Sequence, residues 1–234
     1  MKIAMWSGPR NLSTAMMYAF AARGDCAVWD EPFYGAYLRE SGSDHPLAGE
    51  IIAAHESDPA VIGARCAGPV PDGKAHFYMK HMPHHMLPGF PLDWAEDCVN
   101  VHLIRHPARV IASYAAKREA VTLEDIGFPQ QAALYRRLGG VVIDSFDIRQ
   151  TPRGMLEALC GALGLSFTGA MLRWPRGGRP EDGIWARHWY GAVHDSTGFA
   201  GAEGSLPVVL EAHRPVLDAA LPIYEQMRAD ALTV

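Results

Sequence analysis

The sequence has no run approaching the roughly 18 consecutive apolar residues of a membrane-spanning helix. Its opening stretch, MKIAMWSGPR, meets a Gly-Pro pair within ten positions, too early for the apolar core of a secretory leader. Both absences lead to the expectation of a cytoplasmic protein with no membrane span. Cysteine is scarce: Cys26, Cys66, Cys98 and Cys160 are the only four, and none forms a CxxC pair. Neither a disulfide framework nor a cysteine zinc site is expected, and each thiol reads as a small buried hydrophobe. Positive charge is not in excess either. Lysine and arginine number 21 against 26 aspartates and glutamates, for a formal net charge of -5 at pH 7. Without a basic field, nucleic-acid binding has no electrostatic support, and any anion site must be local. No internal repeat or low-complexity tract breaks the 234 residues, 49% of them hydrophobic. One substantial core is affordable at this length, so a single domain over residues 1–234 is expected. Nothing in the pattern specifies an oligomeric state.

Short apolar runs alternate with helical patterns along the chain. Residues 2–6 read as a strand closed by Ser7-Gly8-Pro9, and residues 12–23 as a helix stopped by Gly24. Further strands are expected at 26–29, 76–80, 99–104 and, after Gly139-Gly140, at 141–143. Between the last two lie a helix at 107–118, opened by Pro107, and another at 123–138. Alternation of this kind predicts a three-layer α/β fold with a mostly parallel central sheet flanked by helices. Residues 35–44, 63–74 and 174–207 read as irregular, bordering a crevice at the carboxyl ends of the strands.

The strongest local signal is IAMWSGPRNLSTAM. A loop that turns from a buried strand into a helix aims backbone N–H groups at one spot, and the helix dipole adds partial positive charge there. Arg10 brings a full charge and a fork of donors, and Ser13 and Thr14 can add hydroxyls; alternatively, the two are ordinary helix-start residues and Arg10 a solvated charge. The segment departs from the nucleotide-hydrolysing loop GxxxxGK[ST]. Counted from Gly8, Ser13 replaces the second glycine, Thr14 the lysine and Ala15 the magnesium-binding hydroxyl. No metal is therefore expected, and a kinase is a weak reading.

SGPRNLSTAM resembles the 5'-phosphosulfate loop of bacterial sulfotransferases that use 3'-phosphoadenosine 5'-phosphosulfate (PAPS). Arg10, Ser13 and Thr14 match, while Asn11-Leu12 replaces Ser-Gly. A second block, VHLIRHPARVIASY, resembles that family's 3'-phosphate element, with Arg105 at the strand end and Ser113 two turns into the helix. A third, from VVID to LGLSF, resembles the later strand and helix of the family. The resemblance implies a P-loop-like fold, PAPS as donor, and donor contacts from Ser7, Gly8, Arg10, Asn11, Leu12, Ser13, Thr14, Arg105 and Ser113. A small-molecule acceptor bearing a hydroxyl or amine would receive the sulfuryl group.

Sulfuryl transfer needs a base for the acceptor's proton and positive charge near the leaving oxygen. In WDEPFY, Glu31 matches by position the glutamate that several branches use as base, and Pro32 biases its backbone toward an extended conformation. FYMKHMPHHMLP resembles the family's K-[ST]-H-L-P segment, which makes His81 the second candidate base and Lys80 the candidate cation, one register out of place. Neighbours in an extended segment face opposite ways, so Lys80 and His81 are not both expected to point inward. His81, His84 and His85 lack the pattern of a zinc helix. Near the carboxyl terminus, Trp185, Arg187, His188, Trp189 and Tyr190 combine aromatic surface with donors, and Trp185 and His188 are the candidate acceptor contacts. A non-catalytic PAPS- or nucleotide-binding protein remains the alternative at this stage, followed by a phosphotransferase.

Overall fold

The computed structural model describes residues 1–116 and 120–234. Five parallel strands, β1 (Lys2–Ser7), β2 (Cys26–Asp30), β3 (His76–His81), β4 (Val99–Ile104) and β5 (Val141–Asp144), form one sheet in the order β2-β3-β1-β4-β5. The first strand thus lies at the centre, between β3 and β4. A central parallel strand is covered on both faces and must be apolar throughout, and Ile3, Ala4, Met5 and Trp6 are all fully buried.

The helices are α1 (Ser13–Ala21), α2 (Tyr34–Ser41), α3 (Ala48–Ala54), α4 (Pro59–Ala67), α5 (Pro107–Ala115), α6 (Phe128–Leu138), α7 (Ser145–Gln150), α8 (Pro152–Ala162), the single turns α9 (Ala186–Trp189) and α10 (Gly191–His194), and α11 (Arg214–Arg228). The two-residue period of the strands splits the core. Ile3, Met5 and Tyr78 pack with Met16, Phe20, Leu156 and Leu159 on one face. Ala4, Trp6, Phe77 and Met79 pack with Phe33, Ile62, Trp94 and Leu134 on the other.

Some expected boundaries move. The irregular stretches expected at 35–44 and 63–74 are in large part helical. Tyr34–Ser41 buries Ala36, Tyr37 and Leu38 and ends at Gly42 in the left-handed region, and Pro59–Ala67 is capped by the Asp58 side chain. The helix expected from residue 123 starts only at Phe128. Thr122 and Asp125 bond reciprocally to each other's backbone amides at 3.1 Å, Gly127 turns to φ 72°, and a proline sits in the first helical turn. The expected end of the helix near residue 118 lies outside the described residues.

Two contacts fix the mouth of the central strands. Gln131 Nε2 donates to Trp6 O at 3.1 Å and Leu103 O at 3.0 Å, tying α6 to the ends of β1 and β4. At Gly8 a β-carbon would lie 2.7 Å from Ile126 O, so only glycine lets the loop after β1 pass beneath that segment.

Candidate functional site

At the carboxyl ends of β1, β2 and β3 lies a cavity of about 260 Å³, where a parallel sheet gathers its ligand crevice. One wall is the loop from Pro9 into α1. Arg10 and Leu12 both adopt left-handed backbone, at φ 63° and 77°. Leu12 takes a conformation that glycine occupies at lower cost, and it is the N-cap of α1 without any side-chain cap. The first-turn amides of α1 therefore face the cavity end of the helix with no capping side chain. Asn11 Nδ2 donates to Leu103 O at 3.3 Å, while its buried Oδ1 has no hydrogen-bond partner among the described residues.

Arg10 and Ser113 come from distant segments and meet here, with Arg10 Nε donating to Ser113 Oγ at 2.9 Å. Arg105, at the end of β4, donates through Nη1 to Arg10 O at 2.6 Å. Burial, and then the neighbouring Arg105, push the Arg10 guanidinium below its ordinary value. Both guanidiniums line one cavity, and such groups suit anionic charge. All three side chains line the cavity, together with Asn11, Leu12, Ser13 and Thr14. Ser7 and Gly8 do not. Ser7 is fully buried and its hydroxyl donates to Gly8 O at 2.9 Å, so these two shape the loop from beneath.

The opposite wall carries a charged cluster. Lys80 is buried on the α1 face of β3, with Nζ 2.9 Å from Asp30 Oδ1, 2.5 Å from Glu31 Oε1 and 2.6 Å from the Tyr190 hydroxyl. That hydroxyl also reaches both Asp30 oxygens at 2.8 Å. Burial works against the Lys80 charge, but Asp30 and Glu31 together hold its pKa above the ordinary lysine value. Glu31 is pushed above the usual carboxylate range, chiefly by burial; Lys80 opposes the shift and Asp30 adds to it. Its remaining oxygen, Oε2, lies 3.9 Å from His85 Nδ1. The extended backbone expected before Pro32 is not observed. Glu31 sits at φ 42°, because its amide pairs with Lys80 O at 2.9 Å while the chain turns at once into α2, where Tyr34 N bonds back to Glu31 O. Such an outlier costs on the order of 1–3 kcal/mol and collects at functional sites.

The parity of β3 decides between its two candidates. His81 pairs in register with Trp6 and lies on the far face of the sheet, 1% exposed, stacked on Trp6 and tilted against Trp94 with ring centroids 4.7 Å apart in both cases. Burial lowers its pKa to about 3, and it does not line the cavity. His84 and His85, past the strand end, do line it. His85 is clasped between Tyr34 and Tyr37, at 4.5 and 4.8 Å. Among the described residues, no group of histidines, cysteines and carboxylates is arranged to hold a metal ion.

The carboxyl-terminal aromatics also redistribute. Trp185 is buried beneath the site and donates through Nε1 to Tyr190 OH at 3.0 Å, and His188 is exposed. Neither reaches the cavity; Trp189 and Tyr190 form that wall instead. The reason is local. Asp30 holds Tyr190 and accepts from Gly183 N at 3.2 Å, so the turn of α9 lies with Trp185 inward and His188 outward. Asp30, Tyr34 and His85 lie within WDEPFY and FYMKHMPHHMLP, where the sequence assigns them no role; only the fold brings them to the site.

A parallel α/β sheet whose central strand runs into an arginine-bearing loop and an uncapped helix has a phosphate-loop-like architecture. The chain belongs to the family described as the sulfotransferase domain, which it matches over residues 1–231. A solved sulfotransferase domain from the curacin biosynthetic pathway is similar in fold, with a TM-score of 0.51 and 15% identity over 99% of this chain and 92% of that one. Two Arabidopsis thaliana proteins, branched-chain-amino-acid aminotransferase-like proteins 2 and 1, are each 33% identical over 97% of this chain. The chain spans only 41% of either plant protein.

Proposed function

We propose that the protein transfers a sulfuryl group from PAPS to a hydroxyl or amine of a small-molecule acceptor. The observation that carries this reading is one cavity lined both by Arg10, Arg105 and Ser113 and by the buried Glu31–Lys80 pair. The chain's residues fit such a donor. Arg10, the amides of α1 and the hydroxyls of Ser13 and Thr14 suit the 5'-phosphosulfate, and Arg105 with Ser113 suits the 3'-phosphate. When bound, PAPS supplies the sulfuryl group, whose transfer needs no metal.

Glu31 is the candidate base. Its raised pKa makes it a better proton acceptor than an exposed glutamate, and it takes the acceptor's proton as the oxygen or nitrogen becomes nucleophilic. Lys80 keeps Glu31 in place and holds positive charge beside the loop, where negative charge develops on the leaving phosphate. Trp189, Tyr190, Tyr34 and Met82 supply the less polar wall on which an acceptor would lie. Incubating the protein with PAPS and pooled hydroxyl and amine metabolites, and reading products by mass, tests the reaction. Product formed by the wild type and lost in Glu31→Gln is the expected result; consumption of ATP with magnesium but never of PAPS would remove the reading.

A further inference from the structure

Three arginines from three elements converge on one carboxylate. Arg105 at the end of β4, Arg109 in α5 and Arg149 in α7 all reach Glu203, whose side chain is 1% exposed. Arg105 Nη2 donates to Glu203 Oε1, Arg149 Nη1 lies 2.8 Å from the same oxygen, and Arg109 Nε lies 2.8 Å from Oε2. The same arginines bind the backbone on either side, Arg149 Nε donating to Gly201 O at 2.8 Å and Arg109 Nη2 to Gly204 O.

Among the described residues, these three arginines are what hold the segment that carries Glu203. Between Gly201 and Leu206, Glu203 is the one buried residue, and the stretch has no helix or strand. Apolar anchors lie only outside it, with Phe199 against the main core and Val209 against the α5–α11 cluster. Loops held by few apolar contacts open at low cost.

The fit is also incomplete. Three guanidiniums meet one carboxylate, an excess of two positive charges among the described residues of the cluster. Arg109 Nε and Glu203 Oε2 are close but misaligned, so both, like Arg105 Nε, are buried without a hydrogen-bond partner among the described residues. One carboxylate meets these donors from three elements only imperfectly, with the Arg109 pair misaligned. A phosphate monoester, carrying about -1.5 to -2 charge and three acceptor oxygens, suits the cradle better.

We infer that Arg105, Arg109 and Arg149 form an anion cradle for a phosphate monoester, and that Glu203 is its built-in stand-in, a latch that the ligand displaces as the 201–206 segment lifts. Arg105 joins the cradle to the cavity, and the inference rests on the donor reading only in naming the 3'-phosphate of the nucleotide as the natural occupant.

Calorimetric titration of wild type and Glu203→Gln with 3'-phosphoadenosine 5'-phosphate tests the latch. The variant should bind roughly tenfold tighter, the worth of one charge-assisted hydrogen bond, with adenosine 5'-phosphate, which lacks the 3' group, unaffected. Equal or weaker binding by the variant overturns the latch. A glutamate-specific protease tests wild type directly: nucleotide should speed cleavage after Glu203 relative to the exposed Glu211, and protection of Glu203 overturns the proposal. If neither protein binds the nucleotide, the donor reading fails on its own. Inorganic phosphate then decides the latch, which stands if phosphate speeds cleavage after Glu203 and falls if it does not.

Discussion

Glu31 and His81 differ in what surrounds them, and that difference favours Glu31 as the proposed base. Glu31 lines the cavity with its pKa raised by burial, whereas His81 packs against Trp6 and Trp94 on the far face of the sheet. Glu31→Gln should therefore lower turnover by roughly 10² to 10⁴ while leaving nucleotide affinity nearly intact. The acid limb of kcat/KM should fall at a pH above the ordinary glutamate pKa, since the base works only when deprotonated; a limb at an ordinary carboxylate value would contradict the account. His81→Asn should leave turnover alone and reduce thermal stability by about 1–3 kcal/mol, the usual range for a repacked core site. Part of this was legible in the sequence. Arg10, Arg105 and Ser113 announced themselves because strand-end motifs are local, and the opposed facing of Lys80 and His81 follows from a period of two. Which of the two faced the site was not legible. It depends on Asp30 and Tyr190, separated by 160 positions and joined only by folding.

At the level of elements, the arginine-bearing wall of the cavity is a loop made possible by close packing. The loop after β1 carries two left-handed residues that are not glycine, and it passes under Ile126 O at Gly8. Gly8→Ala would put a β-carbon 2.7 Å from that oxygen, so the loop or the 123–127 turn must shift. The expected outcome is nucleotide binding weakened by about 1–3 kcal/mol, as for other overpacked sites, with far-ultraviolet circular dichroism unchanged. An affinity equal to wild type would show that the loop is less tightly placed than described. Sequence pattern located this strand-loop-helix unit but misjudged α2 and α4. Their glycines and polar residues suggested loops, whereas burial of Leu38 with Ile51 and Trp185, and of Ile62 against the sheet, outweighs the weak propensity of these short helices.

For the whole molecule, the buried histidines set the response to acid. Burial depresses His81 and His84 from 6.5 to about 3 and His102 to about 4. The unfolded chain takes up these protons near pH 6.5 and the folded chain does not, so their contribution is complete above that pH and is lost as pH falls toward 3. Each adds a slope of up to about 1.4 kcal/mol per pH unit within that window. Glu31 and Asp144, both raised chiefly by burial, act in the opposite sense but are two carboxyls against these three histidines. Urea midpoints should therefore drop clearly between pH 7 and 5; a flat profile would contradict the burial of these rings. No helix among the described residues is long and apolar enough to cross a membrane, and the family match extends over nearly the entire chain. The plant relatives are more than twice as long, and their aminotransferase-like names describe those longer proteins. The central claim, a PAPS site built on Arg10 and Arg105, is tested most directly by calorimetric titration with 3'-phosphoadenosine 5'-phosphate in the presence of a chelator. The account predicts metal-independent binding, weakened by about 1.5–3 kcal/mol in Arg10→Ala and in Arg105→Ala. Binding of ATP only with magnesium, with no response to 3'-phosphoadenosine 5'-phosphate, would contradict it.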